Sequence, residues 1–172
     1  MIETADRPNS FPWPPVLYGV AILCAIALQP VVPLSFPMDG SGLGEALRFA
    51  GWGLLLVGTG FDISAMLTMA KARANILPHR AATALVQSGP FAVSRNPIYL
   101  GNTTMMVGAG LAFGNLWLIV TGLVAARLVL KLAIEREERH LEALFGPAWL
   151  AYRRRVRRWI GRRRGVPALI SP

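Results

Sequence analysis

The feature that most constrains this chain is a gap in its charge pattern. Residues 97–126 form thirty consecutive positions without a charged side chain, and no acidic residue occurs anywhere between positions 63 and 134. A soluble fold distributes charges so that each element keeps one wet face, and a stretch this long without them has no such face. Water is therefore the wrong solvent for much of the sequence, and 53% hydrophobic against 16% charged residues agrees. We expect an all-α membrane protein of about four transmembrane helices followed by a cytoplasmic C-terminal helical segment, the whole forming a single membrane domain. The spans fall at about 16–32, 46–69, 97–113 and 116–134. The first is short but long enough to cross with slight bilayer thinning. The N-terminal segment, with Glu3, Asp6 and several prolines, does not read as a cleavable signal.

The stretch beginning at Pro97 is too long for one span and short for two. Gly114-Asn115 lies at its middle, which predicts a tight helical hairpin rather than one long tilted helix. Orientation favours the hairpin. Lys71, Arg73, Arg80 and Arg95 lie between the second and third spans, and ten arginines follow the fourth. The links at 33–44 and 113–116 hold neither Lys nor Arg. The positive-inside rule then puts both termini and the 70–96 loop in the cytoplasm, which requires an even number of spans. The brevity of the chain fits a bacterial inner membrane.

Beyond the fourth span, helix should continue through 135–160, interrupted at Gly146-Pro147, with the tail 161–172 disordered. Trp149, Tyr152, Val156, Trp159 and Ile160 share one face of the last helix among five arginines. That pattern predicts a helix on the membrane surface, with anionic lipids as partners of its basic side. The formal charge of +9 is thus assigned to lipid headgroups, not nucleic acid. Cys24 is the sole cysteine, so no disulfide framework and no metal site is expected.

Three regions could carry chemistry. The long 70–96 loop ends in Arg95-Asn96-Pro97, where Asn96 suits an N-cap and Pro97 a first helical turn. The free amides there form an anion-favouring helix start, with Tyr99 one turn inside. In residues 134–145, Ile134, Leu141, Leu144 and Phe145 make an apolar stripe flanked by Glu137 and Glu138, while Arg136, Arg139 and His140 point away. Carboxylates bordering a buried stripe need partners, and Glu135 with Arg139 is one available pair. Within the second span, Gly58 and Gly60 permit close approach. Asp62 is a functional hint, or a partner for Arg127 or Lys131.

Taken together, Gly89-Pro90-Phe91, Arg95-Asn96-Pro97, Tyr99 and Gly101, then Glu137-Glu138, Leu141, Phe145-Gly146, Trp149, Tyr152 and Val156, resemble the signature of a membrane enzyme superfamily. It is that of the isoprenylcysteine carboxyl methyltransferases and phospholipid methyltransferases. The resemblance covers about residues 78–159. It implies S-adenosylmethionine (SAM) as cofactor, held between the helical hairpin and the post-span helix. Gly89, Pro90, Asn96, Tyr99, Glu137 and Glu138 are then the cofactor candidates, joined by Gly58 and Gly60, which match a Gly-x-Gly of the phosphatidylethanolamine methyltransferase branch. Many members carry His where this chain has Asn96, and Phe91 replaces a commoner Tyr.

The resemblance thus implies a SAM-dependent methyltransferase acting on a lipophilic or membrane-associated acceptor. Arg95, Tyr99 and Glu138 are the catalytic candidates, Arg95 as a grip on an anionic group of the acceptor. No general base stands out. Two other classes compete: a non-catalytic transport or channel subunit using Asp62 as an ion site, and a membrane reductase relative.

Overall fold

The computed structural model describes residues 11–36, 40, 42–74 and 84–162. Residues 1–10, Asp39, the middle of the 70–96 loop with Arg80, and the tail from 163 lie outside the described residues, so the expectation of a disordered tail falls mostly outside them. Among the described residues every regular element is helical, with no strand. They are α1 (Trp13–Leu28), α2 (Gly42–Lys71), α3 (Pro97–Ala112), α4 (Leu116–Val129) and α5 (Glu135–Arg155). A short 3-10 turn, Gly89–Ala92, precedes α3. The all-helical expectation holds.

Prolines punctuate these elements. α1 begins three residues earlier than expected because Pro14 and Pro15 fit its first turn. It ends at Leu28, with Gln29 still in helical backbone (φ −56°, ψ −45°) and its N–H donating to Ala25 O at 3.2 Å; Pro30 has no N–H with which to continue the ladder. The break between α3 and α4 sits at Gly114, whose φ is +67°, a conformation glycine adopts without a Cβ penalty. Asn115 then caps α4, its side-chain oxygen accepting from the Trp117 amide at 3.0 Å. The link after α1 pins this tip. Leu116 N–H donates to Leu34 O at 2.9 Å and the Trp117 indole to Val32 O at 2.8 Å.

α2 packs on α3, α3 on α4, and α4 on α1. The α2–α3 contact is made by small residues at seven-residue spacing: Gly51, Gly58 and Ala65, all buried, run antiparallel to Gly101 and Gly108. A Cβ on Gly58 would lie 2.7 Å from Met105 Cγ and 2.8 Å from Gly101 O. Backbones this close gain dispersion and weak backbone contacts that larger side chains would prevent. α1 and α4 meet through Ala21, Ala25, Ala125 and Val129, joined by Met106 of α3.

The outside of this bundle is apolar. Leu56 is 75% exposed, Phe49 73% and Leu23 67%, with many others alongside. Two helical runs are long and apolar enough to cross a bilayer, Gly42–Lys71 and the continuous rod Leu116–Arg155. In the most apolar window of α2 only 11% of residues are buried, the reverse of a soluble protein's core helix. Exposed apolar surface of this extent needs hydrocarbon around it. This is a membrane protein.

Between α4 and α5 the rod passes through a π-turn, Leu130–Ile134. The Glu135 amide donates to Leu130 O, five residues back. The wider turn holds one extra residue, so every side chain of α5 is shifted around the axis relative to an uninterrupted α-helix. α5 itself bends at Gly146 (φ +47°, ψ −119°), directly before Pro147.

Candidate functional site at the arginine-rich end of the bundle

The polar residues gather where α3 begins and α5 passes beneath it. Glu138 is 7% exposed and sits between two arginines. Arg158 grips it bidentately, Nε to Oε1 at 3.0 Å and Nη2 to Oε2 at 2.7 Å. Arg95 Nη1 lies 3.2 Å from Oε1, and the Arg95 side chain is only 5% exposed. The Arg95 guanidinium also stacks over Trp149, 5.5 Å from the ring centroid. Burial pulls the Arg95 pKa down, and the Glu138 charge opposes that. The hydrogen bonds to Glu138 raise that of Arg158.

Glu137, one residue away, has a different setting. It is exposed and forms no ion pair among the described residues. Its Oε2 accepts a long hydrogen bond, 3.4 Å, from the Tyr99 phenol. Neighbouring protein desolvates the carboxyl and raises its pKa, the Tyr99 hydrogen bond opposing, the Glu138 charge reinforcing and His140 opposing. A carboxylate held uncomfortably, with one weak donor, has capacity left for a ligand.

The start of α3 is held from behind by the C-terminal strap, residues 156–162. Arg95 N–H donates to Arg157 O at 3.1 Å, Gly161 N–H to Val93 O at 2.8 Å, and the Asn96 side-chain amide to Arg158 O at 3.1 Å. Asn96 occupies the N-cap position, but its side chain makes no capping bond. It faces the strap, a correction to the capping expectation. The first-turn amides of Ile98 and Tyr99 therefore lack both an intrahelical acceptor and a side-chain cap. Gly89 has φ +58°, and a Cβ there would lie 2.8 Å from Thr68 Oγ1 of α2. Pro90 next to it is buried. This turn thus docks on α2 and carries the loop back toward α3.

The last helix corrects another expectation. It ends at Arg155, not 160. Trp149, Tyr152 and Val156 are buried against Leu85, Leu141 and Phe145, and the Tyr152 phenol donates to Phe91 O at 2.7 Å. These side chains face the 84–95 loop, whereas Ile160 (59% exposed) and Arg153, Arg154 and Arg157 stay outside. Glu135 pairs with Lys131 at 3.0 Å, not with Arg139.

Of the sequence candidates, Arg95, Asn96, Tyr99, Glu137 and Glu138 come together here. Gly89 and Pro90 buttress the same loop. Gly58 lies against α3, while an added Cβ on Gly60 would meet nothing within 4 Å. Sequence reasoning missed Arg158, which reaches Glu138 from twenty positions away across a helix end, a relation no local period reveals. It also missed the continuation of the Leu141–Phe145 stripe into Trp149 and Tyr152, which was visible in the spacing.

A groove of about 520 Å³ opens between α1 and α2 over α3. Tyr18, Ile22, Leu55, Met105 and Phe113 line it, with Asn102 among its few polar groups. The Tyr18 phenol shares a hydrogen bond of 2.7 Å with Thr103 Oγ1 and donates to Tyr99 O at 3.3 Å, so the inner part of the groove adjoins Tyr99.

Fold and site define a class: a helical membrane protein with an uncapped helix start and an exposed carboxylate without an ion pair at one end, and an apolar groove beside them. A model of the phospholipid methyltransferase family matches residues 47–148, more than half of the chain. The chain belongs to that family. No curated protein and no solved structure gives a significant match.

Proposed function

We propose that this membrane methyltransferase uses SAM to methylate a lipophilic acceptor, and that Tyr99, Glu137 and the first turn of α3 form the cofactor site. The observation that carries this reading is Glu137, an accessible carboxylate that forms no ion pair among the described residues, beside a helix start whose amides are uncapped. The donor set fits the group. A carboxylate takes an ammonium or ribose hydroxyls, and amides at a helix N-terminus take a carboxylate. When bound, SAM would supply an electrophilic methyl, which the acceptor takes by in-line attack as the C–S bond breaks and the neutral thioether leaves.

Such a displacement needs mainly position and exclusion of water. Arg95, Glu138 and Arg158 position. Their ion pairs lock α5 and the strap to the start of α3, fixing the distance between the α3 amides and Glu137. The α1–α2 groove receives the acceptor's apolar tail from the lipid. We place four spans around this site, with the arginine-rich end and both termini cytoplasmic and Ile160 and the exposed arginines of the last helix and strap against anionic lipid. The test is calorimetric titration of the purified protein with SAM, followed by incubation of membranes with SAM carrying a labelled methyl. The expected result is micromolar to submillimolar binding and label in a lipid-extractable product. Absence of both removes the proposal. The transport-subunit reading predicts no SAM affinity, and the ion pairs around Glu138 give it no support.

A further inference from the structure

The strap has two unlike sides. Its inner side holds the start of α3. Besides the Arg95, Asn96 and Gly161 bonds, Ser94 Oγ donates to Arg158 O at 3.3 Å and Arg162 Nε to Ala92 O at 3.2 Å. The turn closes on itself through Arg157 N–H, which donates to Gly161 O at 2.9 Å, with Gly161 at φ +102°. Arg158, Trp159 and Ile160 form its tip. Arg158 reaches inward to Glu138, and Trp159 packs against the cluster of α1, α3 and α4 that also takes Trp13. The outer side carries Ile160, 59% exposed, and Arg157. Arg157 and Arg154, in the last turn of α5, are exposed and make no ion pair among the described residues.

Charge and level together name what that outer side meets. From Glu135 to Arg162 the chain holds eight arginines against four glutamates, so the surplus is positive. Phe11 and Trp13, with ring centroids 4.7 Å apart, open α1 at this end, and Trp159 joins the same cluster as Trp13. Amphipathic rings of this kind settle at the membrane–water boundary. Arginines and an exposed isoleucine at that level face lipid headgroups, and an anionic headgroup surface matches both the charge and the apolar tip. A nucleic acid would match the charge alone.

We propose that the strap docks on the anionic surface of its own leaflet and that docking completes the cofactor site, so that negatively charged lipid controls SAM binding. The coupling rests on the methyltransferase reading and adds its regulation. A short segment beyond the last helix, tied down by a few hydrogen bonds and one ion pair, opens at a fraction of the cost of unfolding the bundle. Opening withdraws Arg158 from Glu138 and releases the α3 start from the Arg157 and Arg158 carbonyls. The spacing between the α3 amides and Glu137 is then no longer fixed, and SAM affinity falls with the fraction of closed molecules. The closed turn turns Arg157 and Ile160 outward beside Arg154, so an anionic surface favours it. By linkage, SAM tightens the strap on lipid by the factor with which lipid tightens SAM.

The test uses the full chain in nanodiscs of phosphatidylcholine alone and of phosphatidylcholine with roughly one quarter phosphatidylglycerol, an anionic surface. Backbone hydrogen exchange is measured without SAM, and the SAM Kd by calorimetry. In the anionic nanodiscs, exchange slows at the Arg95 and Gly161 amides, which the strap's bonds protect. Kd falls roughly five- to twenty-five-fold, a factor of about five for each of Arg154 and Arg157 near the surface. Both differences shrink when salt screens the charges. Arg154→Gln/Arg157→Gln keeps the phosphatidylcholine values and loses most of the response to anionic lipid. The same variant controls for accumulation of SAM, whose sulfonium, ammonium and carboxylate leave one positive charge, because accumulation acts on both proteins alike. Exchange and Kd that match in the two lipids, a double variant that responds as the wild type does, or weaker SAM binding in anionic lipid each overturn the proposal and leave the methyltransferase standing. No SAM binding in either lipid overturns the methyltransferase reading and the coupling with it, while slower exchange in the anionic nanodiscs still supports the docking.

Discussion

Replacing Glu138 with Gln leaves the guanidinium groups of Arg95 and Arg158 close together with no carboxylate between them. Breaking a buried ion pair from one side costs about 3–5 kcal/mol, so Glu138→Gln should unfold at markedly lower temperature or denaturant concentration. Glu137→Gln removes no ion pair and should leave stability nearly unchanged at acid pH, where Glu137 is protonated in both folded and unfolded chains. Its loss appears in SAM titration instead. A charged hydrogen bond contributes about 1.5–3 kcal/mol, which corresponds to a roughly ten- to hundredfold weaker Kd. A structure in which both glutamates serve the ligand alike predicts matched binding losses and no stability contrast. Titration adds a second signature. The carboxyl of Glu137 is raised above its ordinary value by burial, so the folded apo protein holds that proton better than the unfolded chain does. Its contribution to stability, kept small because the residue is exposed and solvent-screened, is present below the ordinary carboxylate pKa and is lost as pH rises through the raised value. If Glu137 holds SAM as proposed, it does so ionised, so affinity moves oppositely, falling as pH drops through the same window. Glu137→Gln should flatten both curves. Only half of this was legible in the sequence. Two glutamates flanking an apolar stripe could be read from helical geometry, but their division of labour depends on Arg158, delivered by a strap whose path no periodicity encodes.

Among the elements, the α2–α3 contact is the most exacting. An added side chain at Gly51 would overlap the Ala112 amide and lie 2.7 Å from Gly108 O, and one at Gly108 would lie 2.8 Å from Gly51 O. Backbone cannot yield as a flexible side chain can. Gly51→Val and Gly108→Val should each destabilise by about 1–3 kcal/mol or more, the usual range for overpacking, read as loss of thermal stability in detergent. Gly53→Ala, where the added carbon meets nothing within 4 Å, should be neutral or slightly stabilising, because alanine restricts the unfolded chain. Equal losses in all three would mean that α2 and α3 do not pack through this stripe. The hairpin at Gly114-Asn115 could be read from sequence because it rests on local turn chemistry. The π-turn could not, since Leu130–Ile134 is composed of residues that fit an ordinary helix equally well. What it changes is phase, and with it which α5 side chains meet α3.

At the scale of the molecule, charge and hydropathy are segregated along the bundle axis. The exposed arginines 153, 154 and 157 lie at the same end as the start of α3 and Glu137, while Phe113, 64% exposed, marks the hairpin tip at the other. If basic residues are retained in the cytoplasm, the proposed cofactor site faces the compartment where a soluble methyl donor is made. Single-cysteine labelling decides this. Cys24, which is exposed, is first replaced by Ser, then Phe113→Cys and Arg154→Cys are introduced separately. A membrane-impermeant maleimide should label Phe113→Cys in right-side-out vesicles and Arg154→Cys only in inverted ones. Labelling of both from one side would place α4 wholly within one leaflet or outside the bilayer. Glu137 would then have no fixed side, and the lipid groove and the soluble-donor site would cease to be neighbours across a membrane boundary. Opposite sidedness with the signs exchanged would keep the bundle intact but put the site outside, where SAM is scarce. The methyl-transfer reading therefore requires one of the four possible labelling patterns.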